Sequence, residues 1–453
     1  MSVTAPTTRN LITDYYDVIT SAVDQCGAVP GGPAGTPGFA PGFDLPELTP
    51  AVREYYSAAT ASWSPLGEYG GHHLQLLDLT ANPGTQTTKT FASMVIVARA
   101  VEYIRRTGTR LCIFTPTSGN KGVALRDSVA RAYAARLVTP QQLSIVVLAP
   151  QSTRHKFRHD ALAADPQSRQ VNPLLRYTGS DPEGVKSLGR AFVDEYAATM
   201  HDKHGVTLWY TLDLKNYLVA DAARAAFEAD VAPASAARPR WHAHAVSSAF
   251  GLLGYNLGRD VLEAAGKASP ADRPGFLLVQ HLGTPDMVLS LRHGSFERNN
   301  CPTYTLDESA GTWTQDKDPH FPAVTDDPTE VLDPTFYTHR PVTSPAMNAL
   351  IERHGGDGIV VSRRECAQRY PAARDWLANA GLKLPADPEQ LREWSVVMAL
   401  TGVCNAIDRG LVPVGHDIVV HGTGSYSNDF AVADADAEVS TVADVVAAVL
   451  NRW

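Results

Sequence analysis

The sequence predicts an α/β protein built on mostly parallel sheet with crossover helices. Three observations carry this. Short β-like apolar runs recur at Leu111–Phe114, Leu143–Leu148, Val206–Tyr210, Ala243–Ser247, Phe276–Val279 and Ile359–Val361. Helical patterns stand between them, at Val123–Leu137, Glu183–His201 and Tyr217–Ala229, and such alternation is the mark of strand–helix–strand units. A chain of 453 residues with 44% hydrophobic content can also bury a substantial core in two or more lobes.

Before the alternation begins, Asn10–Gln25 carries an amphipathic helical pattern. Gly27–Pro50 is dense in Pro and Gly, with Phe39 and Phe43 spaced through it, and reads as an ordered arm or a linker. Thr303–Pro345 is rich in Asp, Pro and Thr and reads mostly as loop; a long loop inside a compact domain is often functional.

Charge excludes one class of function. Lys plus Arg is 39 and Asp plus Glu 48, a net of −9, which argues against nucleic-acid binding driven by phosphate contacts. No apolar run reaches membrane-spanning length. Met1–Pro6 lacks the basic-then-apolar pattern of a signal peptide, so a cytoplasmic protein is expected. Cys26, Cys112, Cys301, Cys366 and Cys404 are scattered, with no Cys-x-x-Cys pair, and read as reduced, mostly buried thiols without a catalytic role.

The chemistry concentrates in two segments. Thr117-Ser118-Gly119-Asn120-Lys121 follows an apolar strand and opens a helix. A helix start offers free backbone N–H groups to an anion, Thr117 and Ser118 add hydroxyls, and Gly119 permits close approach. Upstream, Asn82-Pro83-Gly84 and a polar Thr/Gln run lead to Lys89, followed by the helical pattern of Phe91, Met94, Val95 and Val97. Burial and the positive helix end both lower the pKa of such a lysine, which makes it a good Schiff-base former.

Together with Ser64-Pro65-Leu66, these segments stand in the order and rough spacing of the fold-type II pyridoxal-phosphate enzymes, the family of threonine synthase, cysteine synthase and the tryptophan synthase β chain. This chain resembles a divergent member. It has one extra residue between Asn82 and Lys89 relative to the family's Asn-Pro-Thr-Gly-Ser-Phe-Lys, and Lys121 replaces the Thr of Ser-Gly-Asn-Thr-Gly. Ser247-Ser248-Ala249-Phe250-Gly251 resembles the Ser-Gly-Asn-Phe-Gly phosphate loop of one threonine synthase branch. Ile418–Ser425 resembles the terminal strand whose hydroxyl faces the pyridine nitrogen; Thr423 matches that place, with Ser425 as the fallback.

The resemblance implies a two-lobed enzyme, each lobe a twisted, mostly parallel sheet flanked by helices. Residues 1–79 form an arm and the start of the large lobe, 80–205 a smaller mobile lobe, and 206–453 the rest of the large lobe. It implies pyridoxal 5′-phosphate as a Schiff base on Lys89, contacts from Asn120, Ser247, Ser248, Ala249, Phe250, Gly251 and Thr423, and a substrate carboxylate on Thr117, Ser118, Gly119 and Asn120, with Lys121 beside it. Lys121 either binds a second acidic group or points into solvent. The implied reaction is β- or γ-elimination or replacement on an amino acid, by a lyase or transferase working as a homodimer.

Two rival readings exist. Gly422-Thr423-Gly424 superficially resembles the glycine turn of a dinucleotide-dependent oxidoreductase, without its third glycine. A catalytically silent binding protein could also retain the fold. Elsewhere, His242 and His244 share one face of a strand but lack a third ligand of clear spacing, so no metal is expected. His72 and His73 fall on opposite faces, His281–Asp286 reads as a turn at least as readily as a cleft wall, and Arg154–His159, which carries Lys156, reads as a solvated helix start, with binding of an anionic substrate group as the alternative.

Overall fold

Two sheets, one wholly parallel and one partly so, organise the chain. The computed structural model describes residues 5–27 and 31–453. The smaller sheet has the order β15-β6-β5-β4-β7, with β4 (Arg110–Pro116) at its middle between β5 (Leu143–Pro150) and β7 (Val206–Tyr210). β6 (Leu174–Tyr177) and β15 (Ala437–Val439) complete it, and every pairing is parallel. The larger sheet runs β1-β2-β3-β14-β8-β9-β13. Its parallel part is β3 (His72–Asp78), β14 (Asp417–Gly422), β8 (Arg240–Ala245), β9 (Gly275–His281) and β13 (Gly356–Val361). At one edge β1 (Thr7–Asn10) and β2 (Thr60–Tyr69) pair antiparallel. A separate antiparallel ribbon of β10 (Thr305–Asp307), β11 (Thr312–Thr314) and β12 (Val324–Thr325) lies in the segment expected as loop.

The strands that the alternation predicts are all present. Beyond them, β7 and β15 lie outside the 80–205 span expected for the smaller lobe, yet both pair in its sheet. The β2/β3 hairpin was not anticipated, because Pro65 within β2 argues against a strand. The chain accommodates it with a register shift between Pro65 and Gly67, and Gly70 and Gly71, both at positive φ, turn the hairpin. The helix expected over Asn10–Gln25 begins only at Tyr16. Asn10 ends β1 instead, its side chain accepting from the N–H groups of Ile12 (3.1 Å) and Thr13 (2.9 Å). Tyr217–Ala229 is covered by two helices, Lys215–Asp221 and Ala223–Val231.

Burial follows the two-residue period of the strands. Leu111 and Ile113 of β4 share a core with helix Lys89–Thr107, whereas Cys112 and Phe114 face the opposite core with Phe192 and Met200 of helix Gly184–His204. Helix Lys89–Thr107 is buried on nearly all sides, because Leu77 and Val419 of the larger sheet join the same core. The Pro/Gly-rich segment packs on this helix as an ordered arm from Gly31 onward. Phe39 and Phe43 are buried, and the Arg99 guanidinium lies 3.4 Å from the Phe43 ring centroid while donating to the carbonyls of Pro41 (2.5 Å) and Gly42 (3.0 Å). Among the described residues no helix is long and apolar enough to cross a membrane.

Candidate active site

Parallel strands place their C-terminal ends at one edge of a sheet, and open α/β sheets bind ligands there. Here β3 leads out to Lys89, β4 to Thr117–Lys121, β8 to Ser247–Gly251 and β14 to Thr423. These four segments converge on a cavity of about 180 Å³. Lys89, Thr117, Ser118, Asn120, Lys121, Ser247, Ser248, Ala249, Phe250, Gly251 and Thr423 all line it. Gly119 does not; it stands behind the wall, at φ 130°, within 3.5 Å of Lys156, Thr153 and Thr335 for a Cβ placed on it.

Local chemistry explains how each segment is held. Asn82 closes the loop before Lys89 on itself, donating to the carbonyls of Leu79 (3.1 Å) and Thr87 (3.2 Å). The Thr88 N–H then donates to the Thr423 carbonyl at 2.9 Å, tying the lysine segment to the end of β14. Lys89 is the first residue of its helix, is half-buried, and makes no ion pair among the described residues. Burial lowers its pKa; Arg224 acts in the same direction, against Asp221 and Glu393. Its Nζ lies 5.5 Å from the centroid of the Tyr217 ring.

Lys121 does not point into solvent. It is buried on the cavity wall, 5.9 Å from the same Tyr217 ring, with its ammonium donating to the Thr211 carbonyl. Burial, and then the neighbouring charge of Lys89, bring its pKa down to about 7. The helix Asn120–Ala134 begins one residue before it, so its side chain turns inward with the start of the helix.

Asn120 is anchored from behind the cavity. Its amide N donates to Glu393 at 2.7 Å and its amide O accepts from Tyr426 at 2.5 Å. Glu393 also receives Lys156 at 2.8 Å, and Lys156 pairs with Asp333 at 2.8 Å. The segment read as a solvated helix start therefore delivers a fully buried lysine between two fully buried carboxylates. Burial disfavours its ammonium, but Asp333 and Glu393 outweigh that and raise its pKa. Nothing in the local sequence marked Lys156, Asp333, Glu393 and Tyr426 as partners, since they are drawn from four separate parts of the chain.

The loop after β8 starts helix Phe250–Ala264, with Ala249 in the left-handed region at φ 50°. Two buried polar atoms on this wall, Ser247 Oγ and His244 Nε2, have no partner among the described residues. His244 donates from Nδ1 to its neighbour's carbonyl at 2.7 Å, which leaves Nε2 as a bare acceptor. His242 and His244 do share one face of β8, and both rings meet His421 of β14. Beside them Arg224 lines the cavity, a residue that sequence reasoning passed over inside an apolar helix. Its only forewarning was Asp221 three residues earlier, which pairs with it at 2.7 Å.

Remaining sequence assignments separate cleanly. Thr423 faces the cavity, whereas the Ser425 hydroxyl is spent on Thr80 at 2.8 Å. His281 is a turn residue, accepting from the Gly283 N–H at 3.1 Å, and lies off the cavity wall. After β14 the chain bridges back to Thr87 and forms no helix before Val442. Gly422-Thr423-Gly424 is therefore no dinucleotide turn, which needs a helix start behind it.

Topology and strand-end cavity define the class: a two-lobed α/β protein with the fold-type II architecture of threonine synthase. The structure is similar to threonine synthase from Escherichia coli, at 13% identity and TM-score 0.52, over 84% of this chain and 78% of the other. It is likewise similar to threonine synthase from yeast, at 11% identity and TM-score 0.51, over 89% and 83% of the two chains. No curated protein matches it in sequence. Residues 7–453 match the family of unknown function DUF6002, and the chain belongs to that family.

Proposed function

We propose that this protein is a pyridoxal-phosphate-dependent enzyme that carries out β- or γ-elimination or replacement on an amino acid. The observation that supports it most is the meeting of Lys89, the Ser247–Gly251 loop and Thr423 on one cavity. The residues present fit the group. A half-buried amine without a counter-ion stands at one side, and a helix start with an unpartnered Ser247 hydroxyl suits a phosphate. Pyridoxal phosphate, when bound, supplies an electron sink for charge developing at Cα of an amino acid.

In this reading Lys89 would hold the cofactor covalently, and its neutral amino group would take the Cα proton of the substrate. The lowered pKa favours both roles. Thr117, Ser118 and Asn120 receive the substrate carboxylate, and Asn120, fixed by Glu393 and Tyr426, is also the contact for the cofactor's ring oxygen. Thr423 would offer the pyridine nitrogen a neutral hydroxyl, which by resemblance to the family favours elimination and replacement over transamination. The test is a visible absorption spectrum of the purified protein loaded with pyridoxal phosphate. A band that borohydride removes, with the cofactor then fixed to the protein, supports the reading; its absence overturns it.

Lys121 bears on the substrate. A buried amine near its midpoint at neutral pH can accept the charge of a second acidic group on the amino acid. Lys121→Thr is expected to lower kcat/KM for amino acids with a second carboxylate by about 10–100-fold, the worth of one charge-assisted hydrogen bond of about 1.5–3 kcal/mol. Neutral amino acids should change by less than about threefold. Equal losses on both classes would assign Lys121 to the scaffold.

A further inference from the structure

Arg224 is the feature of this cavity that neither the motifs nor the resemblance assigns. Its guanidinium is 1% exposed yet reaches the cavity wall. Three of its N–H groups have protein acceptors. Nε donates to Asp221 at 3.0 Å, Nη2 to Thr88 at 2.7 Å and Nη1 to His421 Nδ1 at 3.2 Å, and the ion pair with Asp221 closes to 2.7 Å at Nη2. An arginine has five such donors in a fixed fork, so two N–H groups remain, one on Nη1 and one on Nη2. Both nitrogens sit under the phosphate-type loop: a Cβ built on Gly251 would meet Nη1 and lie 2.8 Å from Nη2 and from Cζ. Glycine at 251 is therefore the residue that lets the loop descend onto the guanidinium.

The orientation of Arg224 is locked from behind. Because an arginine can only donate, His421 Nδ1 is an acceptor and its Nε2 carries the proton. That proton goes to His242 Nδ1 at 2.8 Å, and His242 Nε2 in turn donates to Glu228 at 3.2 Å. All four groups are fully buried. The series runs in one direction, from guanidinium to carboxylate, and leaves no tautomer in which Arg224 turns away. Among the described residues the wall carries one further donor without a partner, the buried Ser247 hydroxyl.

We propose that Arg224 is a direct phosphate ligand, giving the Ser247–Gly251 loop a side-chain cation beside its backbone N–H groups. The ligand class is a phosphate monoester, and under the reading above it is the phosphate of the cofactor. In that position the charge offsets what the loop lacks relative to the family, where Ser248 and Ala249 stand in place of Gly and Asn.

The experiment compares equilibrium binding of pyridoxal 5′-phosphate with that of pyridoxal, and competition by inorganic phosphate, in the full-length chain. Wild type should prefer the phosphorylated form and be competed by phosphate. Arg224→Met leaves Asp221 buried without its partner, so the variant is made as Asp221→Asn/Arg224→Met. It should lose about 10–100-fold in affinity for pyridoxal 5′-phosphate, the range of one charge-assisted contact, with pyridoxal changed by less than about threefold. Gly251→Ala, which pushes the guanidinium aside without removing it, should show the same selective loss, and Arg224→Lys should keep part of the preference. Undiminished preference in both the double variant and Gly251→Ala overturns the role of Arg224 alone. A wild type that binds pyridoxal as well as its phosphate, uncompeted by phosphate, overturns the cofactor reading itself.

Discussion

Lys89→Ala is expected to abolish turnover while leaving a cavity that still binds pyridoxal phosphate without a covalent bond. Loss of the Cα base alone costs about 10²–10⁴-fold in rate, and the covalent partner goes with it. The structure adds an expectation for stability. Lys89 has no ion-pair partner among the described residues and stands in the first turn of a largely buried helix, where the helix dipole opposes its charged form by about 0.3–1 kcal/mol. The cofactor-free variant should therefore unfold at the same or a slightly higher denaturant concentration than wild type. Peptide mapping after borohydride reduction of the wild type supplies the sharpest check. Lys156 is held by two carboxylates; Lys186 also lines the cavity but is paired with Glu183, so the nearer competitor is Lys121, on the same cavity wall. Its amine is engaged by the Thr211 carbonyl, and the label is expected on Lys89. Label on Lys121 would transfer the covalent role to it and overturn the assignment of Lys89.

Lys156→Met should be the most destabilising single change near the cavity. It leaves Asp333 and Glu393, both fully buried, without a cation. Breaking a buried ion pair from one side costs about 3–5 kcal/mol, because the orphaned charge remains in the protein interior. The same change releases Glu393 from its cation while Asn120 still leans on it, so binding at the cavity should weaken as well. Urea unfolding followed by tryptophan fluorescence measures the first effect. Replacing the whole set, as Lys156→Met/Asp333→Asn/Glu393→Gln, should recover most of the loss, since no buried charge is then left unpaired. A single variant as stable as wild type would show that the two carboxylates find other compensation.

How much of this was legible beforehand depends on the distance over which each feature is encoded. Strands β4, β5, β7, β8, β9 and β13 announce themselves as apolar runs because parallel strands are buried on both faces. The β2/β3 hairpin did not, since Pro65 breaks the expected pattern and the bulge that rescues it appears only once β3 is alongside. Lys89, Thr117, Ser118, Asn120, Ser247–Gly251 and Thr423 stood out because each follows a strand and opens a turn or a helix, so their common cavity is prefigured by local order. The choice between Thr423 and Ser425 was not local: it needed Thr80, far back in the chain, to occupy the Ser425 hydroxyl.

Local sequence thus determined the elements and the residues at their ends, through apolar periodicity, turn chemistry and free helix N–H groups, all of which act within a few residues. Only the tertiary structure decided which charges are buried and what answers them. In a one-dimensional reading Lys121 stands between a substrate contact and solvent, Lys156 looks like an ordinary surface lysine, and Arg224 like one charge in an apolar helix. The fold brings Thr211 to the first, Asp333 and Glu393 to the second, and Asp221, Thr88, His421 and Gly251 to the third. The physical reason is that the cost of burying a charge is set by groups within a few ångströms of it, and for these residues most of those groups come from distant parts of the chain.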